Sequence, residues 1–424
     1  MPRTLAEWLS YQDRVNVHSI ELGLERVREV WQRMGAPRPA PRVITVGGTN
    51  GKGSTVALLE AMLKAAGMRV GAFTSPHLLA YNERISVDGT PVGDDALIAS
   101  FERIEAARAE IPLTYFEFGA LASVDLFARA GVEVAVLEVG LGGRLDAVNI
   151  IDADVAVITT VDLDHMEWLG PDRDSIGREK AGIARKGRPA IVGDLDPPQG
   201  LLAALAESGA RVERAGVDFD AECHEHGWRW RHRDGSAMEL PDPYLAAPVQ
   251  HANAAAAIAA LHALGHPLLS SSALFAAASS GLHDVRIAAR LQALGGEPPV
   301  FVDVGHNPQA ARALAEWLDV SAHEAVHAVY GALADKDVAG VIGALGARVA
   351  HWHLAGLDGV SPRGLDVAKL SDLLRATLPQ ARFDAHPDVP GALAAARQAA
   401  HPGDRILAFG SFFVASAVMA EHLP

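Results

Sequence analysis

Gly47-Gly48-Thr49-Asn50-Gly51-Lys52-Gly53-Ser54 is the stretch that decides the fold. Before it, Val43-Ile44-Thr45-Val46 reads as a short buried strand. After it, Thr55 to Ala66 carries apolar residues at helical spacing and stops at Gly67. Strand, glycine-rich turn, lysine, hydroxyl and helix together make a phosphate cradle. The glycines let backbone N–H groups converge on an anion, and the helix N-terminus adds its partial positive charge. Lys52 would reach the outer phosphates of a nucleotide, and the Ser54 hydroxyl would ligate Mg²⁺. Gly53 separates lysine from hydroxyl, a departure from the usual P-loop spacing. The plain alternative is a strand-to-helix turn without a ligand, which the lysine and the correct flanking elements disfavour.

Outward from this loop, strands alternate with helices. Residues 1–41 read as one or two helices ending in the proline-rich connector Pro37-Arg38-Pro39-Ala40-Pro41. Strands are expected at Val70 to Thr74, Val132 to Val139, Asp154 to Val161 and Pro189 to Val192, and helices at Asp94 to Glu110, Phe116 to Ala130 and Arg173 to Ala184. Asn82 to Val87 is a patterned stretch before an Asp88-Gly89 turn. This is the pattern of a parallel sheet covered on both faces. Between Asp218 and Leu240 alternation around Trp228 and Trp230 predicts a small antiparallel hairpin. Alanine-rich helices follow at Gln250 to Leu264 and Ser270 to Ser280. A linker is expected near Gly295-Gly296-Glu297-Pro298-Pro299. A second α/β unit then starts with Val300 to Val304 and a helix to Leu318, with further strands at Ala325 to Tyr330, Val349 to Leu354 and Arg405 to Phe409.

The 424 residues suffice for two or three domains, and a 49% hydrophobic content allows a large core. Lys+Arg 37 against Asp+Glu 52 gives a net charge of −15, which argues against nucleic acid or an anionic membrane as partner. The one cysteine, Cys223, excludes an intrachain disulfide and suits a reducing cytoplasm. MPRTLAEWLSYQDRV lacks a basic start followed by an apolar run, so no signal peptide is expected. Ala408 to Ala420 is too short to span a bilayer.

Ligands of parallel sheets collect beyond the carboxyl ends of strands. Glu138, Asp164 and His165 fall there, as does the phosphate loop. A phosphoryl-transfer site holds its metal with hard ligands. Ser54, Ser75 and Glu138 offer oxygens and His165 a nitrogen. Taken singly, His165 reads as a structural histidine, Glu138 as a surface carboxylate, and Lys180 as a solvated helix lysine. Asp303 and His306 follow a strand of the second unit, where a helix start at Pro308 explains His306-Asn307-Pro308 equally well. Asn253 and Arg290 are weak candidates on spacing alone, and a plain structural reading leads for both.

The ordered set GTNGKGST, SPHL, YFEFGALA, LEVGLGGRLDAVN, DLDHMEWLG, REKAGI, VDVGHNP and GALADKD resembles the folylpolyglutamate synthase/dihydrofolate synthase family, relatives of the Mur ligases. The resemblance runs through most of the chain. It implies an α/β fold: a P-loop ATPase domain with a parallel-rich sheet and an N-terminal helical segment (1–294), and a smaller C-terminal Rossmann-like α/β domain (295–424), with the active site between them. It implies ATP-driven joining of a carboxylate to the amine of L-glutamate through an acyl phosphate, with dihydropteroate and reduced folates as acceptors and Mg²⁺ as metal. By matching motif, Asn50, Gly51, Lys52, Gly53 and Ser54 are the phosphate binders, and Ser54, Ser75, Glu138 and His165 the metal ligands. Lys180 matches a lysine that this family carbamylates; Asn253, Arg290 and Asp303 match nucleotide-binding positions, and His306 lies in the same motif as a catalytic candidate. Ser19, Ile20, Glu21 and Leu22, Thr114, Tyr115, Phe116 and Glu117, and Leu145, Asp146 and Ala147 resemble the pterin-side pocket of the bifunctional bacterial members. Ala289 before Arg290 replaces a common glycine, and Gly305 a frequent alanine. A cytoplasmic monomer without nucleic-acid or membrane partners is expected. The competing readings are a folylpolyglutamate synthase alone, a Mur-type ligase of cell-wall precursors, and a non-catalytic nucleotide-binding regulator.

Overall fold

Arg42–Gly47 forms the central strand β1, because Val43, Ile44 and Val46 are fully buried and Thr45 nearly so. The computed structural model describes residues 2–16, 21–321 and 324–422. The expected site residues Ser19 and Ile20 therefore lie outside the described residues. After β1 come β2 (Val70–Phe73), β3 (Ile85–Val87), β4 (Thr90–Pro91), β5 (Val134–Glu138), β6 (Val155–Ile158), β7 (Pro189–Val192) and β8 (Arg211–Arg214). They form one sheet in the order β4-β3-β2-β5-β1-β6-β7-β8. From β2 to β8 every pair is parallel. Valine- and isoleucine-rich strands suit this placement, since helices cover both faces. The edge hairpin β3–β4 is antiparallel and turns at Asp88 (φ 53°) and Gly89 (φ 75°), the left-handed pair that a tight hairpin needs.

This order places the ends of β2, β5, β1 and β6 side by side. The loops that leave them carry Ser75, Glu138 to Asp146, the phosphate loop, and Thr159 to His165. The helix Lys52–Ala65 follows β1 and packs against the helix Ser271–Asp284. Their approach is close: a Cβ on Gly281 would lie 2.6 Å from Met62 Cγ.

The expected hairpin is a three-stranded antiparallel sheet, β9 (Phe219–His224), β10 (Gly227–His232) and β11 (Ala237–Leu240). Trp228 and Trp230 face inward from β10, and Trp230 Nε1 donates to Ala255 O at 3.2 Å, tying the sheet to the helix Val249–Leu264.

The chain divides into two compact units, Met1–Tyr244 with Gln250–Val285, and Leu245–Val249 with Arg286–Pro424. The crossing at Val285–Arg286 precedes the segment read as a linker, for a physical reason. Gln292 and Ala293 form β12, paired with Val302 and Phe301 of β13 (Val300–Val302), and Gly295 (φ 78°) and Gly296 (φ 91°) turn between them. The remaining strands of the second unit are β14 (Val326–Tyr330), β15 (His351–Ala355), β16 (Phe383–His386) and β17 (Arg405–Phe409), in the order β12-β13-β17-β14-β15-β16. All pairs but β12–β13 are parallel. Trp352, Leu354 and Tyr330 share a core with Leu314, Ile342 and Leu370 of three helices, and the helix Val389–Ala399 contacts β14 to β16. Among the described residues no helix is long and apolar enough to cross a membrane.

Candidate active site

The phosphate loop is built as its composition requires. Gly48 (φ 150°) and Gly51 (φ 85°) take backbone conformations that side chains disfavour, and Gly51 caps the helix Lys52–Ala65. The loop is pinned to the end of β6: Thr49 N donates to Thr160 O at 2.8 Å, Asn50 N to Thr160 Oγ1 at 3.0 Å, and Asp162 N to Thr49 Oγ1 at 3.0 Å. Lys52 Nζ folds back over the loop and donates to Gly48 O and Thr49 O, both at 3.1 Å. Ser54 is 2% exposed, and its Oγ accepts from Gln250 Nε2 at 3.4 Å. Asn253 donates to Gln250 Oε1 at 2.9 Å, and its Oδ1 would meet a Cβ on Gly51 at 2.5 Å. A residue with only a weak sequence signal thus stands against the loop. A Cβ on Gly48 would lie 1.8 Å from Thr159 Oγ1. Gly48→Ala is therefore expected to lose ATP-analogue binding and to destabilise the fold by about 1–3 kcal/mol, read by calorimetric titration and thermal melting.

Glu138 ends β5, buried, and accepts from Ser75 N at 3.1 Å. His165 has a left-handed backbone (φ 50°) at the start of a short helix, and its Nε2 lies 3.9 Å from Asp164 Oδ2. Lys180 is 3% exposed, not solvated. Its helix, Arg173–Ala181, starts at the Asp172 capping box and presses on the Gly140–Gly143 loop, where a Cβ on Gly143 would lie 2.8 Å from Glu179 O. Burial first, and the neighbouring Lys52 charge second, push Lys180 down to about 7, against the pull of Asp164 and Asp146. Near neutral pH its amine is thus available as a nucleophile. Asp146 is pushed up to about 7 by burial, against stabilising N–H groups of Leu141, Val148 and Gly140 and the charge of Lys52.

Ser75, Asp146 and His165 border a cavity of ≈ 270 Å³ that is also lined by the expected residues Glu21, Leu22, Thr114, Tyr115, Phe116, Glu117, Leu145 and Ala147. The walls arise locally. Thr114 and Glu117 form a capping box that starts the helix Tyr115–Ala130, and a Cβ on Gly140 would lie 2.6 Å from the Phe116 ring. Glu117 lines the cavity with both oxygens engaged, Oε2 by Thr114 N at 2.7 Å and Oε1 by Arg26 at 3.2 Å. Burial outweighs those partners and raises its carboxyl above the usual range. It therefore holds the pocket's frame. The cavity also holds Arg84, which the sequence did not single out. Arg84 donates to His77 Nδ1 at 2.8 Å, and its guanidinium lies 5.3 Å from the ring centroids of both Tyr81 and Tyr115.

In the second unit, Asp303 follows β13 and is partly buried, and desolvation raises its carboxyl despite the opposing charge of Arg290. Its oxygens accept from Leu291 N at 2.8 Å and Gly305 N at 2.6 Å. Arg290 lies 5.6 Å from the Phe412 ring centroid, between Ala289 (φ 53°) and Leu291 (φ 50°). The His306 Nδ1 is 3.0 Å from Val304 O, and Asn307 caps the helix Pro308–Val320.

Buried hard oxygens at strand ends and a glycine cradle fit a nucleotide with a divalent cation. Comparison with known proteins agrees. Residues 46–261 match the Mur ligase middle domain, and residues 289–412 the glutamate ligase domain of Mur ligases. The chain is 44% identical over 416 residues to a dihydrofolate synthase/folylpolyglutamate synthase of Escherichia coli (strain K12), covering 98% of this chain and 94% of that one. It is 38% identical to the protein of the same description from Haemophilus influenzae, covering 96% and 95%. The solved structure of E. coli FolC with DHPP and ADP superimposes with a TM-score of 0.92 at 43% identity, covering 99% of both chains. A bifunctional folylpolyglutamate synthase/dihydrofolate synthase with Mn, AMPPNP and L-glutamate bound gives 0.89 at 43% identity, covering 99% and 98%. This chain belongs to the dihydrofolate synthase/folylpolyglutamate synthase family of Mur ligases.

Proposed function

We propose that the chain joins L-glutamate to dihydropteroate, giving dihydrofolate, and to reduced folates, extending them with glutamate. The observation that carries this reading is the cavity itself. It sets apolar and aromatic walls, Asp146 and Arg84 beside Ser75 and His165. An apolar pocket with a few convergent polar groups suits a flat heteroaromatic acid. Asp146 would accept from ring N–H groups, and Arg84 would attract a carboxylate.

A carboxylate is a poor electrophile, so its oxygen first attacks the γ-phosphorus of ATP and ADP leaves. The glutamate nitrogen then attacks the acyl carbon, loses a proton and expels phosphate. Asn50 to Ser54 would hold the phosphates, with Lys52 following the charge that shifts toward the leaving oxygen. Ser54, Ser75, Glu138 and His165 would hold Mg²⁺, which when bound neutralises phosphate charge. A carbamate on Lys180 would turn a buried cation into an oxygen donor. Asn253, Arg290 and Asp303 are assigned to the nucleotide and His306 to the reaction. The apolar cavity keeps water from the acyl phosphate.

Mass spectrometry of the product tests this function: dihydropteroate incubated with ATP, Mg²⁺ and L-glutamate should gain one glutamate residue, and unchanged dihydropteroate would contradict it. Arg84→Ala should weaken dihydropteroate binding by about tenfold or more, ~1.4 kcal/mol, while ADP binding stays. Equal loss of both ligands would instead mark Arg84 as structural.

A further inference from the structure

One face of the second unit's sheet carries imidazoles where parallel strands ordinarily carry aliphatic side chains. His327 on β14 pairs in register with His351 on β15, and His353 on β15 pairs with Asp384 on β16. Strand alternation puts all four on the same face, opposite Trp352 and Leu354. One ligand atom from each of His327, His351 and His353 lies within 4.8 Å of the others. His353 is fully buried and His327 is 6% exposed, while His351 is only partly covered.

Three details separate this cluster from chance packing. His327 Nδ1 and His353 Nε2 are 3.1 Å apart, near the ~3.3 Å edge of a tetrahedron with metal–nitrogen bonds of about 2.0–2.1 Å. Carboxylates stand behind the imidazoles, as outer partners do at metal sites: Asp404 Oδ2 is 3.5 Å from His327 Nε2, and Asp384 Oδ2 is 3.9 Å from His353 Nδ1. Finally, His351 Nε2 is 2.9 Å from Asp384 Oδ2, while His353 Nδ1 is buried without a hydrogen-bond partner. A buried nitrogen left in this way costs stability.

We propose that His327, His351 and His353 form a three-histidine binding site for a borderline divalent transition ion such as Zn²⁺, with the fourth position open to water. His327 binds through Nδ1 and His353 through Nε2, with Asp404 orienting His327 from behind. An imidazole-rich set of this kind favours zinc, nickel or copper over Mg²⁺, so the ion is chemically distinct from the one that accompanies ATP. Its ligands come from two adjacent strands, so binding ties β14 and β15 together and stabilises the fold by mass action.

The full chain, stripped with a chelator and re-equilibrated with Zn²⁺ in excess Mg²⁺ and ADP, should retain one zinc per chain after gel filtration. Its melting temperature should rise, and Co²⁺ in place of zinc should give the visible absorption of a tetrahedral site. The variant H327Q/H351Q should lose the zinc, the cobalt band and the thermal shift, while keeping Mg²⁺-dependent ligation. H351Q alone, at the partly exposed position, gives the same reading at reduced affinity should the double variant not fold. No retained zinc in the wild-type protein, or equal retention by the variants, would overturn the site.

Discussion

Lys52→Ala is expected to lower ATP-dependent ligation by about 10²–10³-fold or more, the scale of removing one preorganised charge from a phosphoryl-transfer site. The loop should outlive the substitution. Its shape rests on Gly48, Gly51 and the hydrogen bonds from Thr49 and Asn50 to Thr160, none of which involve the ammonium. What is lost is a cation already held over the loop by Gly48 O and Thr49 O at 3.1 Å. Removing it should also relieve Lys180, since the Lys52 charge is one of the causes that depress that amine. Phosphate release at saturating acceptor measures the effect, with thermal melting as the control for folding. Near-normal turnover would remove the loop from the catalytic site.

Lys180→Ala should cost activity on a similar scale, for a different reason. A buried ammonium pushed down to about 7 gains little from staying charged, and CO₂ reacts with the free amine. The fraction of free amine rises as pH passes upward through about 7. Protein stripped of CO₂ should therefore recover activity on adding bicarbonate, and recover faster at a pH above that value than below it. In Lys180→Ala a short carboxylate such as acetate or propionate should restore part of the rate by occupying the vacated space. Lys180→Arg should not respond. Activity insensitive to bicarbonate, together with no rescue, would leave Lys180 as a structural residue.

The phosphate loop was readable because its signals are local: glycines at forced backbone angles, a lysine, and a helix of clean period. The same holds for the strand-end positions of Glu138 and His165. The cavity residues were readable only through motif resemblance, since nothing in the spacing of Leu145 or Phe116 marks a wall. Asn253 gave only a weak signal because an alanine-rich helix hides which face approaches the loop; only folding sets its Oδ1 against Gly51. Arg84 was hidden in a patterned stretch before a turn, yet it ends a helical turn and lines the cavity. The helices Val338–Leu345, Val389–Ala399 and Phe412–Ala420 went unassigned because they are short or apolar all round. Their N-caps were the available sign: Asp337, Asp388 and Ser411 each accept from the backbone N–H three residues on. The boundary near 295 misread a hairpin turn as a linker, because two glycines followed by prolines satisfy both descriptions.

The most direct measurement is phosphate release by the purified chain with ATP, Mg²⁺ and L-glutamate, adding either dihydropteroate or tetrahydrofolate. Release that depends on glutamate and occurs with both acceptors is the predicted result. Release with tetrahydrofolate alone would contradict the dihydrofolate-forming half of the account, and release with neither would contradict the whole.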